Sequence, residues 1–169
     1  MPENKNSKDG KGDLEKLKKD YEVLRAKYNL PEYSKLAEDF NSIERVSDSE
    51  TDYPIREIRR FVADKILNFH RFVEALLNPV NVPMHIFSMI KTMGADEKKK
   101  LSEIYGEIAK IEILIMELDL EFSEKKEAEF IKNTFNIWQG IKKDFASILE
   151  NAKKKWDTKE DSEKGCYFG

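Results

Sequence analysis

Two lysine triplets, Lys98, Lys99 and Lys100 and then Lys153, Lys154 and Lys155, are the residues whose chemistry local structure explains least. The first triplet falls at the start of a helical pattern, where cations oppose the helix dipole at a cost of about 0.3–1 kcal/mol. Joined by Lys91 and the second triplet, it could cup a phosphate backbone or an acidic protein surface. The ordinary reading is a lysine-rich face that stays in water. It has weight because the chain carries 24 Lys against 6 Arg, and phosphate forks favour Arg. No glycine-rich loop, RNP-like aromatic pattern or zinc spacing accompanies the triplets. Trp156, beside the second one, could stack on a base or simply cover the end of a bundle.

Other reactive side chains offer less. His70 stands one turn before Glu74 at the edge of an apolar stripe, and His85 lies among apolar residues. A di-iron bundle needs Glu three residues before His on two helices. Here Leu67 and Val82 hold those places, so no metal is expected. The single cysteine, Cys166, excludes an internal disulfide. It opens a C-terminal Cys166-Tyr167-Phe168-Gly169, which has the bare spacing of a prenylation box but the wrong residues for one. A short docking tip, carried by Tyr167 and Phe168, is the better use of that stretch, against a tail that folds back or stays mobile. Nothing resembles a nucleophile elbow, a phosphate loop or a paired-His metal motif. The expectation is therefore no enzyme and no cofactor.

These residues are carried by a chain of 169, enough for one domain with a real core. Charged residues reach 37% and hydrophobic ones 40%, with only seven Gly and five Pro, the balance of a charged-surface helical protein. A net charge of −3 gives no general pull toward nucleic acid or anionic membrane. The N-terminus shows no apolar signal region, and no stretch is apolar for long enough to span a bilayer. A cytoplasmic protein is expected.

The central positioning element is the stretch Glu97 to Phe122, which is apolar on two opposite faces. Leu101, Ile104, Ile108, Ile111, Ile115, Leu118 and Phe122 recur in a 3-4 rhythm and line one seam of an α-helix. Gly106, Ala109, Ile113, Met116 and Leu120 repeat the rhythm on the far side. A surface helix ordinarily shows one stripe. This one is expected to need cover on both, with Ile113, Met116 and Leu120 as candidate partner contacts.

The remaining elements follow the same logic. Residues 1–13 read as a disordered tail. Leu14, Leu17, Tyr21, Leu24 and Tyr28 mark a first helix ending near Asn29, and Pro31 opens a short second one with Leu36 and Phe40 inward. The acidic, Ser-rich stretch to Asp52 is a loop, with Thr51 or Asp52 available to cap a long helix that begins at Pro54. That helix carries Ile55, Ile58, Val62, Ile66, Phe69, Val73 and Leu76 at a 3.6-residue period and stops at Pro79. A Met-rich connector helix follows, in which Met84 and Phe87 could line a partner groove but more simply cap the core. Asp96 and Ser123 are the caps expected for the last two long helices. Ile131, Thr134, Trp138, Ile141, Phe145, Ile148 and Ala152 give the final seam. Residues 157–169 read as a flexible tail.

A turn of one or two residues at Ser123 folds the last two long helices into an antiparallel hairpin. Residues equally distant from Ser123 then sit level, which gathers Glu117, Asp119, Glu121, Glu124, Glu127 and Glu129 at the closed end and the lysine triplets at the open end. If the 54–78 helix runs antiparallel to its neighbour, Arg56, Arg59 and Arg60 come level with those acids. The expected architecture is all-α: an antiparallel bundle of three long helices, with two shorter N-terminal helices and the Met-rich connector, in one domain over residues 14–156. The function expected is a non-catalytic interaction or adaptor protein, acting through the apolar helix face or the aromatic tip, with self-association or another protein as partner. The alternative is an RNA- or ribosome-associated protein that binds through the lysine pole.

Overall fold

The structure is a computed structural model, and it describes residues 9–40, 53–80 and 82–164. Over these residues the chain is all-α, with six helices and no strand: α1 (Asp9–Tyr28), α2 (Tyr33–Asp39), α3 (Pro54–Leu77), α4 (Met84–Thr92), α5 (Ala95–Leu120) and α6 (Glu124–Lys164). The helical bundle expected from periodicity is present. Two ends differ from expectation. α1 begins at Asp9, inside the stretch read as a tail, and α6 continues past Asp157 to Lys164. The caps expected from Thr51 or Asp52 lie outside the described residues, as does the acidic loop.

The chain divides into two compact units, Met1–Leu67 with Ile111–Ile137, and Asn68–Lys110 with Trp138–Gly169. In the first unit, α1 ends because Asn29 adopts a left-handed backbone with φ 54°, a conformation Asn tolerates better than most residues. The Leu30 N–H then donates to the Arg25 carbonyl at 3.3 Å. Tyr21 is fully buried, donates its hydroxyl to the Pro31 carbonyl at 2.7 Å, and meets the Tyr33 ring edge-on. Leu36, Phe40, Ile58, Val62, Ile66, Ile111 and Ile131 complete this core. The α5 and α6 segments of this unit line one groove together, through Ile111, Leu114 and Leu118 on α5 and Phe130, Thr134 and Ile137 on α6.

Phe122 departs from the seam assigned to it. The connection between α5 and α6 is three residues long, so Phe122 leaves the helix, and its ring packs edge-on against Tyr53 at 4.8 Å. Ser123 does precede α6: its carbonyl accepts the Glu127 N–H at 2.9 Å, while its Oγ lies 3.5 Å from the Lys126 nitrogen.

In the second unit, Val73, Leu76, Leu101, Ile104, Ile108, Ile141 and Ile148 are buried. Phe69 stands edge-on to both Trp138 and Phe145, at 5.1 and 5.0 Å, a geometry that matches positive ring edges to negative faces. His70 lies against the Tyr105 ring at 4.5 Å. The cap of α5 also differs from expectation. Gly94, not Asp96, precedes the first helical residue, and the Glu97 carboxylate reaches back to accept the Gly94 N–H at 2.8 Å. That is the reciprocal half of a capping box.

Candidate interaction surface

α5 buries one of its two apolar rows and exposes the other. Leu101, Ile104, Ile108, Ile111, Ile115 and Leu118 are all buried. On the opposite row Ile113 is 58% exposed, Met116 61% and Leu120 88%, while Gly106 and Ala109 are half-covered. Of the two faces expected to need cover, this chain packs its core on one, and the row of Ile113, Met116 and Leu120 faces out. The packed side of α5 is the inner row alone, while Ile113, Met116 and Leu120 each keep more than half of their surface in water.

Beside this row in the first unit runs a groove of about 210 Å³, lined among others by Ile111, Leu114, Leu118, Phe130 and Ile137. Leu114 and Ile137 are themselves part-exposed at its rim. Glu117, Lys126 and Glu129 border it with charge. An apolar floor with charged margins suits the apolar stripe of a helix.

The other partner candidates divide. Met84 is 76% exposed, but Phe87 is half-buried, with the Lys91 ammonium 4.6 Å from its ring centre. Ile90 and Met93 from the same segment are buried. The connector is therefore mainly a lid with one protruding end. Tyr167 and Phe168 lie outside the described residues, and so do the side chains of His85 and Trp156.

The lysine triplets do share the second unit. All six residues are exposed, and Lys155 donates to Glu97 at 2.7 Å, which brings the second triplet to the start of α5. Lys154 pairs with Glu150, also at 2.7 Å. The shallow depression there is lined by Asp96, Glu97 and Glu103 as well as by Lys99 and Lys100, so its charge is mixed rather than basic. The bond from the Lys155 ammonium, with the backbone N–H groups of Glu97 and Gly94 that donate to the same carboxylate, holds the Glu97 carboxyl below its ordinary range.

Sequence reasoning placed the arginines of α3 level with the acids of the hairpin but did not anticipate how deep the pairing lies. Arg59 is 1% exposed and Glu127 fully buried. Arg59 donates through Nε to Glu127 at 2.8 Å and through Nη2 to Asp119 at 2.7 Å. Burial pushes the Glu127 carboxyl above its ordinary range, against the pull of Arg59. Glu127 Oε1 has no hydrogen-bond partner. A signal existed. Glu127 occupies the α6 seam one turn before Ile131, and Arg59 lies one turn after Ile55 and one before Val62 and Ala63. This cluster is a structural fastening, with both Arg59 and Glu127 shut away from water.

Among the described residues no group of His, Cys, Asp and Glu could hold a metal ion, and no helix is long and apolar enough to cross a membrane. The chain matches no family model, no curated protein and no solved structure.

Proposed function

We propose that the protein is a non-catalytic helical interaction module, working in the cytoplasm and binding another polypeptide through the outer face of α5. One observation carries this reading. A helix interior to the chain presents Ile113, Met116 and Leu120 to water in the same heptad rhythm as its buried seam. Isolated apolar side chains on a surface need no explanation, but a continuous row beside an apolar groove marks a contact site. At about 25 cal/mol per Å² removed from water, covering such a row drives association that ordering costs then reduce.

The test compares the parent with Ile113→Glu and Leu120→Lys. Both variants should fold with unchanged helicity and melting behaviour, and both should lose a complex that the parent forms and that can be rebuilt from purified components. Variants that keep the complex refute the reading. Binding of RNA through Lys98 to Lys100 and Lys153 to Lys155 is the weaker reading, because acids interleave with those lysines. Its mark is affinity that falls steeply with salt and disappears when the triplets are replaced.

A further inference from the structure

We infer that the polypeptide seated on α5 is a second copy of this chain, its own α5 laid antiparallel across the same row. This rests on the interaction reading above and narrows it to one occupant.

The first argument is the taper of the row. Reading along α5, the outer residues run small to large: Gly106, Ala109, Ile113, Met116, Leu120. Two such rows placed antiparallel, with the twofold axis near Ile113, set the small end of each against the large end of the other. Facing layers then have matched volumes, as close packing requires. Placed parallel, the same rows leave a void where glycine meets glycine and crowd leucine on leucine. A self-complementary patch is what a twofold interface needs.

The second argument is Gly106. A glycine inside a helix costs about 1 kcal/mol relative to alanine. Among the described residues nothing lies within 4 Å of where a Cβ on Gly106 would stand, and its φ is not positive. The packing of the described residues therefore gives no reason for glycine here. The close approach of a second helix to the α5 backbone supplies one.

The third argument is charge. Lys110 and Glu117 flank the row on one side, one heptad apart. The antiparallel arrangement brings Lys110 of each copy level with Glu117 of the other, giving two reciprocal pairs. The parallel arrangement would instead bring Glu112 against Glu117. On the second flank the charge of Asp119 is compensated by Arg59 within the chain, and Glu112 of each copy comes level with its twin, one like-charge contact against two opposite-charge pairs.

Sedimentation velocity of the full-length chain, combined with single cysteines in a Cys166→Ser background, tests the inference. A dimer is expected, with Ile113→Cys crosslinking on oxidation and Leu120→Cys not. Seven residues from the axis at 1.5 Å rise each, the two Leu120 positions lie roughly 20 Å apart, far beyond the roughly 7 Å limit for a disulfide. Ile113→Glu should raise the dimer dissociation constant about 100-fold or more, as loss of a central apolar anchor does. If that variant folds poorly, Leu120→Lys, at the most exposed position of the row, reports the same loss. Efficient crosslinking of Leu120→Cys, or a dimer indifferent to both charge substitutions, overturns the inference. A strict monomer overturns it too, and the two readings then separate. If Ile113→Glu still abolishes a complex with a different protein, the interaction reading stands without self-association. If it abolishes nothing, both fall.

Discussion

Replacing Arg59 with alanine should be among the most damaging single changes in the first unit. Arg59 is 1% exposed and holds the fully buried Glu127 at 2.8 Å through a charge-assisted bond. Its second bond, to Asp119, engages a carboxylate whose side chain is 56% exposed, so water readily replaces that partner. The loss is therefore concentrated at Glu127, whose other oxygen has no hydrogen bond to fall back on. Leaving a buried charge uncompensated costs about 3–5 kcal/mol. Arg59→Met combined with Glu127→Leu, which removes both charges and keeps apolar volume, should lie within about 1 kcal/mol of the parent, because the desolvation penalty disappears with the pair. Asp119→Asn should cost about 1 kcal/mol or less. Urea unfolding followed by circular dichroism measures all three. The pH dependence has a definite sign. Glu127 holds its proton more tightly folded than unfolded, so stability falls as pH rises from the ordinary carboxylate value of 4.5 through the raised one. Without Arg59 that fall should steepen, and the alanine variant should recover toward the parent in acid. An Arg59→Ala penalty below about 1 kcal/mol, or a double variant as unstable as the single one, would refute the account of this cluster.

Ile111→Ala, on the buried row of α5, should cost about 2–5 kcal/mol, whereas Ile113→Glu, two residues on, should stay within about 0.5 kcal/mol at concentrations where the chain is monomeric; denaturant midpoints decide. Gly106→Ala should stabilise the monomer by about 0.5–1 kcal/mol through helix propensity while weakening any dimer, two opposite signs from one methyl group, read by dilution of thermal melts. Glu97→Gln should flatten the acid limb of the stability profile. The depressed Glu97 carboxyl contributes stability that is present above its ordinary value and lost as pH falls through the lowered one, a slope visible in melting temperatures taken across the acid range.

The long apolar seams were legible because periodicity reports directly on burial: each residue assigned to the inner row of α5, from Leu101 to Leu118, is buried. Periodicity does not report what does the covering, so the row of Ile113, Met116 and Leu120 carries the same rhythm as the buried one and could be assigned only as a contact for some partner. Phe122 kept the rhythm but lies past the end of the helix, where a three-residue connection turns its ring toward Tyr53. Gly94 and Glu97 carry the spacing of a reciprocal cap, overlooked because glycine reads first as the end of the preceding helix. Residues 157–164 lack apolar side chains and so resemble a tail, yet α6 continues through them as a charged helix can. Arg59 and Glu127 were hidden by their residue type, since charge on a seam position is read as surface until the opposite charge is seen beside it.

The carboxylate of Glu124 draws two neighbours from the end of α1: Oε1 accepts from the Lys27 ammonium at 2.9 Å and from the Tyr28 hydroxyl at 2.8 Å. The first helix is thereby moored at its last turn, close to the left-handed stop at Asn29, and Tyr21 is the deepest of its described anchors. Amide exchange along it should form a gradient, slow from Tyr21 to Tyr28 and progressively faster toward Asp9. Severing the mooring with Glu124→Ala should speed the slow end most and leave the fast end as it was.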